Sequence, residues 1–156
     1  MRKENIFKII EKTPGISYNE IVREANLSNG VISHYLIKLL DEKKIEKEGI
    51  QRGKYFLKNI IKNDRVLITL LRNKTNSGIF RILMEDQDNV TTYTNKELSK
   101  KLKKSGSTIS VSLKTLQNHN IIERVIMNKR IKLTNDLGYK IHNKKSWAIF
   151  FKKYNL

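Results

Sequence analysis

Cysteine is absent from the 156 residues, which removes disulfides and cysteine-ligated metals and fits an intracellular protein. Proline occurs once, at Pro14, and no apolar run is long enough to span a bilayer. The first residues, MRKENIFKIIEK, contain acids and no small-residue cleavage site, so no signal peptide is expected. No phosphate-binding loop, dinucleotide fingerprint or nucleophile elbow is present. Asp86 and Asp88 stand close together without a third carboxylate at useful spacing, and His34, His119 and His142 are scattered. Neither an enzyme, a cofactor nor a metal site is expected. Acidic residues are also scarce: 15 against 32 Lys and Arg, a net charge of +17. Such an excess attracts polyanions, nucleic acid first and an anionic membrane surface second.

What the chain does have is a pattern that occurs twice. SNGVISHYLIKLLDEKKI, from Ser28 to Ile45, reads as a helix with Ile32, Leu36, Leu39 and Leu40 on one side. The pattern returns 77 residues later as SGSTISVSLKTLQNHNII, from Ser105 to Ile122. Glu20/Glu97, Ser28/Ser105, Ser33/Ser110, Leu36/Leu113, Leu39/Leu116, Ile45/Ile122 and Glu46/Glu123 are identical at that spacing. Ile21/Leu98, Ala25/Leu102 and Ile32/Ile109 match in character. Two copies of one unit are therefore expected.

The elements follow in order. Arg2 to Lys12 is amphipathic through Ile6, Phe7, Ile9 and Ile10, and Thr13-Pro14-Gly15 ends it. Ser17 and Glu20 form a capping box for a second helix, and Ser28 is placed to cap the third. Ile45–Glu48 and Lys54–Lys58 read as strands around a glycine-bounded loop. From Ile60 to Arg72 the period is helical again, through Ile61, Val66, Leu67, Leu70 and Leu71, so a structured connector is expected. Asn73 to Gly78 reads as a break. Ile79, Ile82 and Leu83 then repeat the first stripe, and Thr94 with Glu97 repeats the capping box. Ile122–Met127 and Arg130–Thr134 are the expected second hairpin. From Asp136 to Leu156, the residues Leu137, Ile141, Trp147, Ala148 and Phe151 suggest one helix, either packed on the second domain or used for dimerisation. A membrane-surface helix is the weaker alternative.

The reading is a mainly α chain with small β-hairpin wings: two tandem winged helix-turn-helix domains and a C-terminal helix. Its divisions are residues 1–59, a connector over 60–74, residues 75–134 and a tail over 135–156. In this arrangement the third helix of each domain enters the major groove of DNA. Off its core side the first copy carries Asn29, Gly30, Ser33, His34, Ile37 and Lys38, and the second Gly106, Ser107, Ser110, Val111 and Lys114. Ser28 and Ser105 sit at helix starts, where free amides favour a phosphate. Arg52 and Lys54 in the first wing, and Lys129, Arg130 and Lys132 in the second, are candidate backbone contacts. Lys100, Lys101, Lys103 and Lys104 are candidates for phosphate. Net charge is +4 over residues 1–60, +9 over 61–134 and +4 over the tail, so the second domain is expected to carry more of the electrostatic binding.

LSNGVISHYLIKLLDEKKIEK resembles the archaeal winged helix-turn-helix regulators and, more distantly, the MarR and ArsR families. LLRNKTNSGIFRIL followed by TNKELSKKLKKSGSTISVSLKTLQNHNIIERV is similar to the second domain of archaeal proteins with two winged helices in tandem. The resemblance covers residues 1 to 134. It implies a sequence-specific DNA-binding transcription regulator, often a dimer. A cytoplasmic, nucleoid-associated protein on double-stranded DNA is expected, with the connector or C-terminal helix as the candidate homodimer surface and no membrane partner. Two departures stand out: Ser112 where such helices often carry His, so a different base readout is expected, and Asn118-His119-Asn120 where a Gly turn is usual, which is expected to alter the approach to the hairpin. No ArsR-type metal site is present. The alternatives are a sequence-neutral chromatin or replication-initiation protein, and a winged-helix module that binds other proteins.

Overall fold

Apolar residues one helical turn apart set the first element. In the computed structural model, which describes residues 1–85, 92–126 and 137–156, Arg2–Lys12 forms α1. Its Ile6 and Ile10 are fully buried, with Phe7 and Ile9 packed beside them. The turn that follows is closed by Gly15, at φ +76°, whose amide donates to the Tyr55 carbonyl at 2.9 Å. Then come β1 (Ile16–Ser17), α2 (Tyr18–Ala25), α3 (Asn29–Asp41), β2 (Ile45–Glu48), β3 (Lys54–Leu57) and α4 (Lys62–Arg72). After these are α5 (Lys74–Glu85), β4 (Tyr93–Thr94), α6 (Asn95–Leu102), α7 (Gly106–Asn118), β5 (Ile122–Ile126), β6 (Leu137–Ile141) and α8 (Lys144–Tyr154). The order helix, strand, helix, helix, hairpin thus occurs twice, in two winged helix-turn-helix folds.

The chain divides into two units, Met1–Thr69 with Phe150–Leu156, and Leu70–Ile149. In the first, α3 delivers Ile32, Leu36 and Leu39 to a core shared with Ile6, Ile10, Ile16, Ile21, Ala25 and Ile45. Burying side chains of this kind contributes roughly 1.5–3 kcal/mol each. The sheet has the antiparallel order β1-β3-β2, with Ile16 opposite Tyr55 and Glu46 opposite Phe56. In the second unit Ile79 and Leu83 are buried as Ile6 and Ile10 are, together with Leu98, Ile109, Leu113 and Leu116. Its sheet, β4-β6-β5, repeats the first. Both expected capping boxes form: Ser17 with Glu20, and Thr94 with Glu97. The Thr94 bonds, and then Lys101, hold the Glu97 carboxyl below its usual range.

Positive φ falls at matched positions. Asn26 (φ 49°) and Lys103 (φ 52°) turn the chain after α2 and α6; Lys43 (φ 54°) and Asn120 (φ 55°) turn it after α3 and α7. Asn120 therefore adopts the left-handed conformation that the glycine of such a turn supplies, which asparagine tolerates well. The approach to β5 is unaltered: Ile121 N donates to Leu116 O at 3.0 Å, as Lys44 N does to Leu39 O at 3.0 Å.

Several expectations are corrected. Residues 73–78 are not a break, because α5 begins at Lys74 and Asn73 Oδ1 accepts from the amides of Thr75 and Asn76. Gly78 lies inside α5, where it allows close approach: a Cβ there would stand 2.8 Å from Leu102 Cδ2. On α4 the inward residues are Arg65, Ile68 and Leu71, while Val66 is exposed, as is Ile61 before it. Leu137 and Ile141, assigned to a helix by their spacing, belong instead to β6, where Ile141 stands opposite Ile122. The strand expected over Arg130–Thr134 lies outside the described residues, as do Asp86 and Asp88. Helix α8 does not pack only on the second domain. Trp147 meets Phe80 edge to face at 6.0 Å, but Phe150–Leu156 belongs to the first unit. There Tyr154 is buried with Phe56, Ile60 and Ile68, and its hydroxyl donates to Asp64. Ala148 is exposed.

A polar tie secures the far end of α3. Lys3 Nζ on α1 donates to Glu42 Oε1 at 2.6 Å, and Lys44 Nζ lies 2.9 Å from the other oxygen. These bonds, Lys3 first, lower the Glu42 pKa from 4.5 to about 2. A depressed carboxylate adds stability that is complete above pH about 4.5 and disappears as the pH falls toward about 2. Acid unfolding followed for the chain and for Glu42→Gln should therefore show two curves that are separate at neutral pH and converge in that window.

Candidate nucleic-acid interface

Helix α3 buries one side and leaves the other to solvent. Ser28, Asn29, Gly30, His34, Ile37 and Lys38 are exposed and Ser33 is half-buried. The His34 ring rests edge-on against Tyr35 at 5.2 Å. On α7, Ser105, Gly106, Ser107, Ser110, Val111 and Lys114 are all exposed, Val111 at 68%. Each set thus lies on one solvent-facing side of one helix. Ser112 does not, being 8% exposed on the core side of α7. It cannot alter what that helix presents outward, contrary to the expectation from sequence.

The two helix starts differ. Ser105 caps α7, its hydroxyl accepting from Thr108 N at 3.2 Å with Ser107 Oγ and Thr108 Oγ1 close by. Ser28, the expected cap of α3, makes no side-chain cap bond. The positions matching Ser107 and Thr108 are Gly30 and Val31, which bring no hydroxyl to it.

Behind each exposed face stands a clamp at one repeated position. Tyr18, the first residue of α2, donates its hydroxyl proton to Asn29 O at 3.0 Å and lies 3.0 Å from Ser33 Oγ. Asn95, the first residue of α6, donates from Nδ2 to Gly106 O at 3.2 Å and to Ser110 Oγ at 2.7 Å. Each pair of bonds ties the second helix of its unit to the first turn of the third. Sequence did not mark Tyr18 and Asn95 because they share no identity. The signal was their common offset of 77 beside the capping residue.

The cations fall into groups. Arg52 is exposed in the first wing, and Lys54 Nζ lies 3.8 Å from Glu20 Oε2. Lys47, Arg52 and Lys54 line a groove that also takes in Ser17, Tyr18 and Asn19 at the start of α2. Lys100, Lys101, Lys103 and Lys104 are exposed at the end of α6 and in the turn to α7, with Lys101 Nζ 5.6 Å from the Tyr93 ring centre. Lys129, Arg130 and Lys132 lie outside the described residues.

The wing has its own anchor, Arg65, which is 7% exposed. It donates to Ile60 O at 2.7 Å, Lys58 O at 3.3 Å and Glu48 Oε1 at 3.0 Å, and also to Glu46. Burial opposes its charge, but the carboxylates of Glu46 and Glu48 outweigh this and raise its pKa. On β5, Glu123 pairs with Lys140 at 2.9 Å and His142 at 3.3 Å, which lower its pKa, Lys140 the more.

Among the described residues no His, Asp or Glu cluster is arranged to hold a metal ion, and no helix is long and apolar enough to cross a membrane. Fold and exposed faces together define the winged helix-turn-helix class. Residues 1–68 match the family HTH_HVO_0163_N, described as an N-terminal HTH domain, a helix-turn-helix type that points to DNA binding. No curated protein matches the chain.

Proposed function

We propose that the chain is a double-stranded DNA-binding transcription regulator with two DNA-reading domains, residues 1–59 and 75–134. The observation that carries this reading is the solvent-facing side of α3, which presents Asn29, Ser33, His34 and Lys38 beside Ile37, within a segment that matches a helix-turn-helix family. Helices α3 and α7 enter major grooves. Lys38 and Lys114 reach phosphate from those helices, and Arg52, Lys54 and the lysines at the end of α6 hold the backbone. Lys129, Arg130 and Lys132 serve the second wing in the same way. The regulator acts in the cytoplasm on the nucleoid, without a cofactor. It pairs as a homodimer through the connector or C-terminal helix, where Val66 and Ile149 are exposed.

Selection from a randomised duplex pool at two salt concentrations tests the proposal. An enriched motif, bound far more tightly than random duplex, is the expected result. Salt-sensitive binding with no motif would replace the regulator by a sequence-neutral chromatin or replication-initiation protein. Absence of binding at low salt would leave the protein-interaction module.

A further inference from the structure

Ser33 and Ser110 are the same residue at the same position of the two helices, yet their hydroxyls are not equivalent. A backbone carbonyl can only accept a hydrogen bond. Tyr18 has one proton, and its contact with Asn29 O uses it. The second contact, 3.0 Å from Tyr18 Oη to Ser33 Oγ, is then a hydrogen bond only if Ser33 is the donor. That bond consumes the Ser33 proton and leaves its oxygen with lone pairs alone. Asn95 works the other way. The group facing Gly106 O must be the amide nitrogen, and its two protons go to Gly106 O and Ser110 Oγ. Ser110 is therefore an acceptor inside the protein and keeps its own proton for a ligand.

We infer that the residue at the first position of the second helix sets the polarity of the serine on the third. Through Tyr18, Ser33 accepts from DNA; through Asn95, Ser110 donates to it. This rests on the DNA-binding reading above and deepens it. In the major groove the donors are the exocyclic amino groups of adenine and cytosine, so Ser33 selects one of those. A phosphate, which only accepts, gives Ser33 nothing to bind. Ser110 offers its free proton to an acceptor: purine N7, guanine O6, thymine O4 or a phosphate oxygen. Tyr18 and Asn95 are thus positioning residues that act through the serines. Two helices with matching serines read opposite chemistry, and a tandem of near-repeats gains an asymmetric site.

The test is a set of double-mutant cycles between serine and DNA, using the full chain and its selected duplex. One arm removes amino groups singly, with purine in place of adenine and 2-pyrimidinone in place of cytosine. A second removes acceptors, with 7-deazapurines for N7, 2-aminopurine for guanine O6 and 4-deoxythymine analogues for O4. A third neutralises single phosphates as methylphosphonates, which separates a base acceptor from a backbone one. Loss of an amino group should weaken the wild-type chain about 3- to 10-fold and leave Ser33→Ala unaffected, as expected for one hydrogen bond. Loss of an acceptor, on base or phosphate, should couple in the same way to Ser110→Ala. The inference is overturned if both serines couple to one class of group, if the classes are exchanged, or if neither serine couples. The last outcomes leave DNA binding itself intact. A chain that binds no duplex at all overturns the inference and the function together.

Discussion

Replacing Arg65 by alanine is expected to destabilise the first unit by about 3 kcal/mol, the order found when one partner of a buried ion pair is removed. The side chain is buried and makes four hydrogen bonds, two of them to backbone carbonyls, those of Ile60 and Lys58. Alanine would leave those carbonyls and two carboxylates without their donor and open a space beside Phe56, whose ring centre is 6.0 Å from the guanidinium carbon. Glu46→Gln and Glu48→Gln should each cost less, because these carboxylates are 43% and 42% exposed and water replaces part of what is lost. Lysine at position 65 keeps the charge but cannot reproduce the planar fork, so it should recover less than half. Urea denaturation of the full chain, read on the transition of the first unit, measures all four. Because Glu46 and Glu48 lie on β2, Arg65→Ala should also weaken DNA binding through the wing that carries Arg52 and Lys54.

Tyr154→Ala should cost the first unit a similar amount, about 3–4 kcal/mol, typical of a large aromatic removed from a core. Tyr154 is 7% exposed, fills a cluster with Phe56, Ile60 and Ile68, and meets Phe150 edge to face at 4.9 Å. Tyr154→Phe separates packing from the bond to Asp64 and should cost only about 1 kcal/mol, the net worth of one hydrogen bond. Thermal unfolding of the two variants checks this. If alanine proves as mild as phenylalanine, the end of the chain does not belong to the first core.

Where physics acts locally, the sequence was readable. A helical stripe needs only its own spacing, so α1, α3, α5 and α7 could be placed from Ile6/Ile10, Ile32/Leu36/Leu39 and their repeats. The capping boxes are local too, four residues long each. Two-residue strands cannot show alternation, which hid β1 and β4. The spacing of Leu137 and Ile141 fits a helix as well as a strand, and only pairing with β5 decides it. Gly78 has the composition of a break but serves close packing against Leu102. The bond from Tyr154 to Asp64 joins residues 90 apart, and no local rule anticipates it. At the interface, exposed faces followed from the core stripe, since whatever does not point inward points out. The clamp was hidden because Tyr18 and Asn95 perform one role with different chemistry.

Both third helices are expected to bind DNA. The most direct measurement is the salt dependence of duplex affinity for the chain, for Lys38→Ala, for Lys114→Ala and for the double variant, by fluorescence anisotropy. Affinity should fall steeply with salt, and each substitution should lower the slope of log K against log salt by about 1, with the double variant lower by about 2. A slope unchanged by either lysine, or an affinity indifferent to salt, would contradict this expectation.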